Sequence, residues 1–322
     1  MPSQVAPTAR LSDTELPVVD LSAGPAPGRT VHVGGVDVHV RHLEPARANA
    51  EPALLVHGLG GSTLDWTDFA QLLQPKLDVE LIDLAGHGRS GPAVARNYAL
   101  RSHARTVIGY LQQSGRGPVH LVGNSMGGAI CILVAIARPD LVRTLTLISP
   151  AVPDVRLRVH PLKHDPRMAF VVVPGVGTLA MRKMSKVAVQ SRVRGTIDLV
   201  FADSSRFPKR RFDELVEQTR SRAEQPWASE AFIRSMRGLA RTQLLQGRSM
   251  WAAMRTIQAP TLVLWGDTDR LVAPDLAGFL AAAIPDSRQL VLEDIGHTAM
   301  MEDPVTSARA FLGLLEDVAA RV

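Results

Sequence analysis

The chain is 322 residues long, with 46% hydrophobic, 21% charged and 4% aromatic residues and a formal net charge of +5. Such a composition suits a globular protein with one large α/β domain plus an insertion, or two domains. One cysteine, Cys131, excludes an internal disulfide, and no apolar run is long enough to span a bilayer, so a cytoplasmic protein is expected.

Residues 1–29 are rich in Pro, Ala and Ser, lack a cleavable apolar core, and read as a disordered leader. Thr30–Val33 and Val36–Val40 alternate around Gly34-Gly35, which predicts a β-hairpin. Ala53-Leu54-Leu55-Val56 is a continuous apolar run, as in a parallel strand buried on both faces. It ends in His57-Gly58-Leu59-Gly60-Gly61-Ser62, and a helix is expected from Thr63 through Leu73. A strand at Val79–Ile82 leads into Asp83-Leu84-Ala85-Gly86-His87-Gly88-Arg89-Ser90, and helical periodicity returns between Ala99 and Gln113.

A β-branched run from Val119 to Val122 then meets Gly123-Asn124-Ser125-Met126-Gly127-Gly128, with a helical segment from Ala129 to Ala137. Further strands are expected at Thr144–Ile148, Thr261–Trp265 and Gln289–Leu292, the last two separated by a helix at Pro274–Ala283. Asp303-Pro304 opens a final amphipathic helix, with Pro where its missing N–H costs nothing. This alternation predicts an α/β fold with a mainly parallel sheet covered on both faces.

Residues 153–255 break the rhythm. Helical patterns at Arg210–Ala223 and Trp227–Leu245 and the apolar run Met168–Met181 replace strand–helix alternation. The segment therefore reads as a helical cap inserted into a core formed by 30–152 and 256–322. It holds 20 Lys+Arg against 9 Asp+Glu, whereas the rest of the chain has 16 against 22. Solvated helix faces account for such an excess, and an anionic surface or ligand is the functional alternative. The low aromatic content and the lack of a docking motif argue against nucleic acid as a partner.

The chemistry is expected at Ser125. Strand, sharp Gly-x-Ser-x-Gly turn and helix place a serine at a strained apex, where flanking glycines relieve the crowding. An ordinary Gly-rich turn has the same short pattern, so the remaining loops decide. A serine nucleophile needs a base and an orienting carboxylate. Gly266-Asp267-Thr268-Asp269 and Asp294-Ile295-Gly296-His297 follow in the order Ser, acid, His, each directly after a strand. No metal-ligand cluster is evident, and no cofactor is expected.

From about residue 30 the chain resembles the α/β-hydrolase superfamily, through His57-Gly58, Asp83 with Gly86-His87-Gly88-Arg89-Ser90, the Ser125 turn, Gly266-Asp267-Thr268-Asp269 and Gly296-His297. The resemblance implies Ser125 as nucleophile, Asp269 as acid and His297 as base. Asp267 and Asp154 are the other carboxylates placed to serve as the acid. It further implies backbone oxyanion donors at Leu59 and Met126, a bracing role for His57 and a structural one for His87. Cys131, in the helix behind the turn, reads as a buried inert thiol.

A serine at the apex excludes the branches of this superfamily that use aspartate there. The Gly-Asn-Ser-Met-Gly-Gly turn is similar to those of monoacylglycerol-lipase-like esterases and of carbon–carbon bond hydrolases of aromatic degradation. His57-Gly58-Leu59-Gly60-Gly61 and Thr298 depart from the Ser/Gly-Gly-Pro-Gly loop and the post-histidine Trp of the second group. Hydrolysis of a small hydrophobic or lipid-like ester is therefore the leading expectation, with carbon–carbon cleavage and a non-catalytic ligand binder as alternatives. Met168–Met181, flanked by Lys163, Arg167, Arg182, Lys183 and Lys186, suggests a wall of an apolar pocket or a peripheral contact with anionic membrane. Acyl-chain length and oligomeric state are not encoded in these motifs.

Overall fold

The computed structural model describes residues 6–154 and 176–321. Eight strands form one sheet: β1 (Gly28–Val33), β2 (Val36–Leu43), β3 (Glu51–Val56), β4 (Leu77–Ile82), β5 (Val119–Asn124), β6 (Val142–Ile148), β7 (Thr261–Gly266) and β8 (Ser287–Leu292). Their order is β1-β2-β4-β3-β5-β6-β7-β8. β2 runs antiparallel to both β1 and β4, and every pairing from β4 across to β8 is parallel. The hairpin forms around Gly34 and Gly35, both at positive φ, as the twist of a two-residue turn requires.

The apolar strand runs are explained by burial on both faces. Leu54 and Val56 of β3 join one core layer, with α2 (Leu100–Ser114) and α3 (Met126–Ala137). Ala53 and Leu55 join the opposite layer, with α1 (Thr67–Leu73) and the C-terminal helix Pro304–Ala319. Successive side chains point to opposite faces, so both sets must be apolar when helices cover both faces. The helix expected from Thr63 divides into a 3₁₀ turn, Thr63–Trp66, and α1. Ser62 and Asp65 close a capping box at that turn.

Between β6 and β7 the described insertion is helical: α4 (Val176–Ser185), α5 (Val189–Val200), α6 (Lys209–Ala223), α7 (Ala228–Leu245) and α8 (Gly247–Met254). Residues 168–175 of the apolar run lie outside the described residues. Val193, Ile197, Phe201 and Val216 form a small core of the insertion itself. Polar contacts fasten it to the sheet domain. Buried Arg211 of α6 donates to Asp68 of α1 at 2.6 and 2.9 Å, and Gln243 Nε2 of α7 donates to the Ala151 carbonyl at 3.2 Å. Three further helices complete the chain: α9 (Leu276–Ala283), α10 (Ala299–Glu302) and α11 (Pro304–Ala319).

The described part of the leader departs from the expectation of disorder. Ala9 N donates to Gln289 O and Gln289 N to Pro7 O, so the segment pairs with the β8 edge. Arg10 forms an ion pair with Glu316 of α11 at 2.7 Å, and the buried Ser12 hydroxyl also hydrogen bonds to Glu316. Composition alone misleads here, because backbone pairing with an open sheet edge needs no apolar pattern. Deleting residues 1–14 should therefore lower Tm by several degrees, at roughly 2–4 °C per kcal/mol lost. Thermal melts of the full and shortened chains test this, and unchanged melting would contradict it.

Candidate active site

Ser125 sits between β5 and α3 at φ 54° and ψ −119°, a strained conformation for any residue with a side chain. Its carbonyl accepts from the N–H groups of Ala129 and Ala151 at 3.1 and 2.9 Å, and its own N–H donates to Ile148 O at 3.0 Å. Close packing explains the glycines beside it. A Cβ on Gly127 would lie 2.2 Å from Val56 O, and one on Gly123 2.6 Å from Cys131 Sγ. Cys131 is fully buried, and burial pushes its thiol pKa well up, which suits an inert packing group.

His297 and Asp269 come together although 28 positions separate them. His297 Nδ1 lies 2.8 Å from Asp269 Oδ2, and both residues are buried. The other carboxylate oxygen of Asp269 accepts from the N–H groups of Leu271 and Val272 at 2.8 and 3.0 Å. A carboxylate facing Nδ1 selects the tautomer with its proton there, leaving the Nε2 lone pair free to act as a base. His297 Nε2 is buried and has no hydrogen-bond partner among the described residues. Asp267, by contrast, points its side chain to solvent while its N–H binds Leu292 O. The carboxylate that meets His297 is Asp269, not Asp267 or Asp154.

Further contacts hold these loops. Asn124 Nδ2 donates to the carbonyls of Ile148 and His297, both at 3.1 Å, and so ties the Ser125 turn to the His297 loop. Glu302 accepts from Gly296 N at 2.8 Å and from Ala202 N at 3.0 Å, while His297 N donates to Val200 O at 2.7 Å. The end of α5 thereby braces the histidine loop. Sequence reading quotes Asn124 within its motif without a role and does not single out Glu302, because their partners are distant in the chain.

Leu59 lies in the loop after β3, and Met126 begins α3 directly after Ser125, so both backbone N–H groups lie on loops bordering Ser125. Gly58 runs so near the turn that an added Cβ would be 3.1 Å from Ser125 Cβ. His57 braces this loop. Its Nδ1 donates to Gly58 O at 2.7 Å and its Nε2 accepts from Leu84 N at 3.0 Å, which fixes both its tautomer and its neutrality. From the insertion, Arg222 Nη1 donates to Gly60 O at 2.7 Å, and Phe232 packs over Gly60, which is at φ 79°. Nothing local marks Arg222 among the many cations of α6.

Burial keeps the histidines beneath this loop uncharged. Desolvation pushes His57 down to about 3, His103 to about 4 and His87 well below its ordinary value, with Arg222 lowering His57 and His87 further. The His87 ring meets that of His57 tilted at 5.7 Å and that of His103 edge-on at 5.9 Å. Burial raises Asp65 to about 7 and Asp83 to about 6, although the Arg89 and Thr63 N–H groups oppose the rise at Asp83.

The signs of these shifts yield a testable pH profile. Below about pH 6.5 the unfolded chain takes up histidine protons that the folded protein refuses until near pH 4, so stability falls on acidification. Asp65 and Asp83 act oppositely, since the folded state takes up their protons first. Thermal melts from pH 7 to 4 should show a fall in Tm that His103→Gln flattens and Asp65→Asn steepens. The two carboxylates near His297 give a second expectation. Asp269→Asn should reduce turnover by on the order of 10⁴, as the equivalent change does in a serine protease, whereas Asp267→Asn should be mild. Steady-state rates that reverse this ranking would show that Asp269 does not orient the base.

Comparisons with known proteins agree with this geometry at the level of the fold. Residues 52–304 match the family model described as alpha/beta hydrolase fold. A 2-hydroxy-6-oxononadienedioate/2-hydroxy-6-oxononatrienedioate hydrolase of Pseudomonas putida is 27% identical over 290 residues, covering 89% of this chain and 94% of the relative. Lipase 1 of Psychrobacter immobilis is 25% identical over 289 residues, covering 85% and 81%. Among solved structures, a membrane phospholipase A described as a bacterial virulence factor superposes with a TM-score of 0.73 at 25% identity, covering 91% of this chain and 86% of that one.

Proposed function

We propose that this chain, which belongs to the α/β-hydrolase family, is a serine hydrolase that cleaves a carboxylic ester of a hydrophobic or lipid-like substrate. The observation that carries the reading is the buried His297–Asp269 pair, 2.8 Å apart, with a partnerless Nε2 on the histidine. An imidazole oriented by a buried carboxylate in this way serves acyl transfer, and a ligand-binding protein has no use for it.

The reaction follows from these groups. Ser125 Oγ attacks the ester carbonyl carbon while His297 Nε2 takes its proton, and Asp269 stabilises the imidazolium that forms. The carbonyl oxygen becomes an oxyanion that accepts from the Leu59 and Met126 N–H groups, Met126 lying at the positive end of the α3 dipole. The C–O bond then breaks, His297 returns its proton to the departing alcohol, and an acyl group remains on Ser125. Water, deprotonated by His297, attacks that acyl group and regenerates the serine. The described helices of residues 153–255 act as a cap, with Phe232 and Arg222 against the oxyanion loop.

Two observations favour a second reading, carbon–carbon bond hydrolysis. Relatives at 27% identity are named as hydrolases of 2-hydroxy-6-oxononadienedioate and 2-hydroxy-6-oxononatrienedioate, which are dianions. Arg222, beside the oxyanion loop, is a cation that a substrate carboxylate would seek. Against it stand Thr298 and the Leu59-Gly60-Gly61 loop, and a relative named Lipase 1 matches 85% of the chain at 25% identity.

Ser125→Ala and His297→Ala should each abolish nearly all turnover while Tm stays near that of the parent. A fluorophosphonate should label Ser125 alone. A p-nitrophenyl ester series run beside a meta-cleavage dienoate separates the two readings. Preference for the dienoate, with KM raised by Arg222→Gln, would replace ester hydrolysis by carbon–carbon cleavage. Labelling of another residue would refute both.

A further inference from the structure

The insertion exposes apolar and cationic side chains together. Leu179, Met184 and Val187, on α4 and the turn after it, are 55%, 50% and 43% exposed. Arg182, Lys183 and Lys186 alternate with them, and every residue from Arg182 to Ala188 is exposed. No acidic residue lies between Val176 and Ala188. Beside α4 opens a cavity of about 510 Å³ whose wall includes Arg182 and Ser185 of α4 and Arg234 and Arg237 of α7. Glu230 also lines it and is held by Arg234 at 2.9 Å, so one of its charges is already balanced.

We propose that this face of α4, with the arginine-lined cavity beside it, docks on an anionic lipid bilayer. Charge complementarity selects this occupant. Across residues 176–255 there are 16 Lys+Arg against 7 Asp+Glu, and the excess is undiluted along α4. Exposed Leu, Met and Val side chains have nothing to gain from a free anion or a nucleic acid, but they enter the apolar boundary of a bilayer. Arg182, on the α4 side of the cavity, meets headgroup phosphates, which a guanidinium binds through two parallel N–H groups. No helix among the described residues is long and apolar enough to cross a membrane, and this contact requires none. The inference rests on the lipid-like ester reading only for what docking delivers to Ser125; the contact itself needs no catalysis.

The test is flotation of Ser125→Ala protein with phosphatidylglycerol vesicles and with phosphatidylcholine vesicles, at low and high salt. Binding to the anionic vesicles alone, lost at high salt, is expected. The combined substitution Arg182→Gln, Lys183→Gln and Lys186→Gln should lower partitioning by about 100-fold, roughly fivefold per cation near such a surface. Met184→Ser with Val187→Ser should weaken anionic binding without changing its salt dependence. In the Ser125 form all these variants should turn over a short soluble ester at the parent rate, so loss of docking and loss of catalysis are separable. Equal binding to both vesicle types, or none to phosphatidylglycerol at low salt, overturns the proposal. A rise in Tm with inorganic phosphate and no flotation would make the cavity a free-anion site instead, and would overturn it equally.

Discussion

The backbone of Ser125 is the constraint on which the rest of this structure depends. A φ of 54° with ψ −119° costs of order 1–3 kcal/mol for a residue with a side chain. It persists only because the surroundings leave no alternative. α3 must start against the end of β3, so Gly127 approaches Val56 O and His57 O too closely for any Cβ. β6 holds the turn from the other side through Ile148 O. Both Ala129 and Ala151 are bonded to the Ser125 carbonyl, which ties the turn at once to its helix and to the segment after β6. Relaxing the serine would therefore break packing and hydrogen bonds in three elements together.

The electrostatics beneath the loop of His57 to Gly61 follow from the same crowding. A loop this close to the turn must be fixed from below by a group small enough to bury and able both to donate and to accept. A neutral histidine is such a group, and His57 does both, to Gly58 O and from Leu84 N. Burial also holds His87 and His103 uncharged, so the one full positive charge described against the loop belongs to Arg222. Its guanidinium lies on Gly60 O, and the attraction of Asp65 and Asp83 helps to keep it charged despite its burial. A cation there, rather than protonated histidines, holds the loop backbone through a charge-assisted hydrogen bond.

Much of this was legible in the residues, for identifiable reasons. Parallel strands covered on both faces must be apolar throughout, so Ala53–Val56 and Thr261–Trp265 announce themselves. The order Ser125, Asp269, His297 is visible because each residue lies in the short loop that follows its strand. What was not legible depends on distance in the chain. Arg222 meets Gly60 across 162 positions, and Arg211 meets Asp68 across 143, and neither differs in local pattern from a solvated surface arginine. The leader misled for the converse reason. Its pairing with Gln289 uses backbone groups, which every sequence possesses, and its hold on Glu316 uses polar side chains that composition counts toward disorder.

The insertion touches both loops that frame Ser125, and this bears on how substrate choice could change on such a scaffold. From one side Val200 O and the Ala202 N–H hold the His297 loop, directly and through Glu302. From the other, Arg222 and Phe232 hold the loop of Leu59 and Gly60. The sheet supplies the strained serine and the buried Asp269, and the loop of Asp269 meets the insertion too, where Arg270 Nη1 donates to Asp198 O at 2.6 Å. A helix shift in the insertion would thus move the loops of His297 and of Leu59 and Gly60 relative to Ser125. Sequence change confined to residues 176–255 can therefore alter the space around Ser125, because the loops that frame it lean on the insertion.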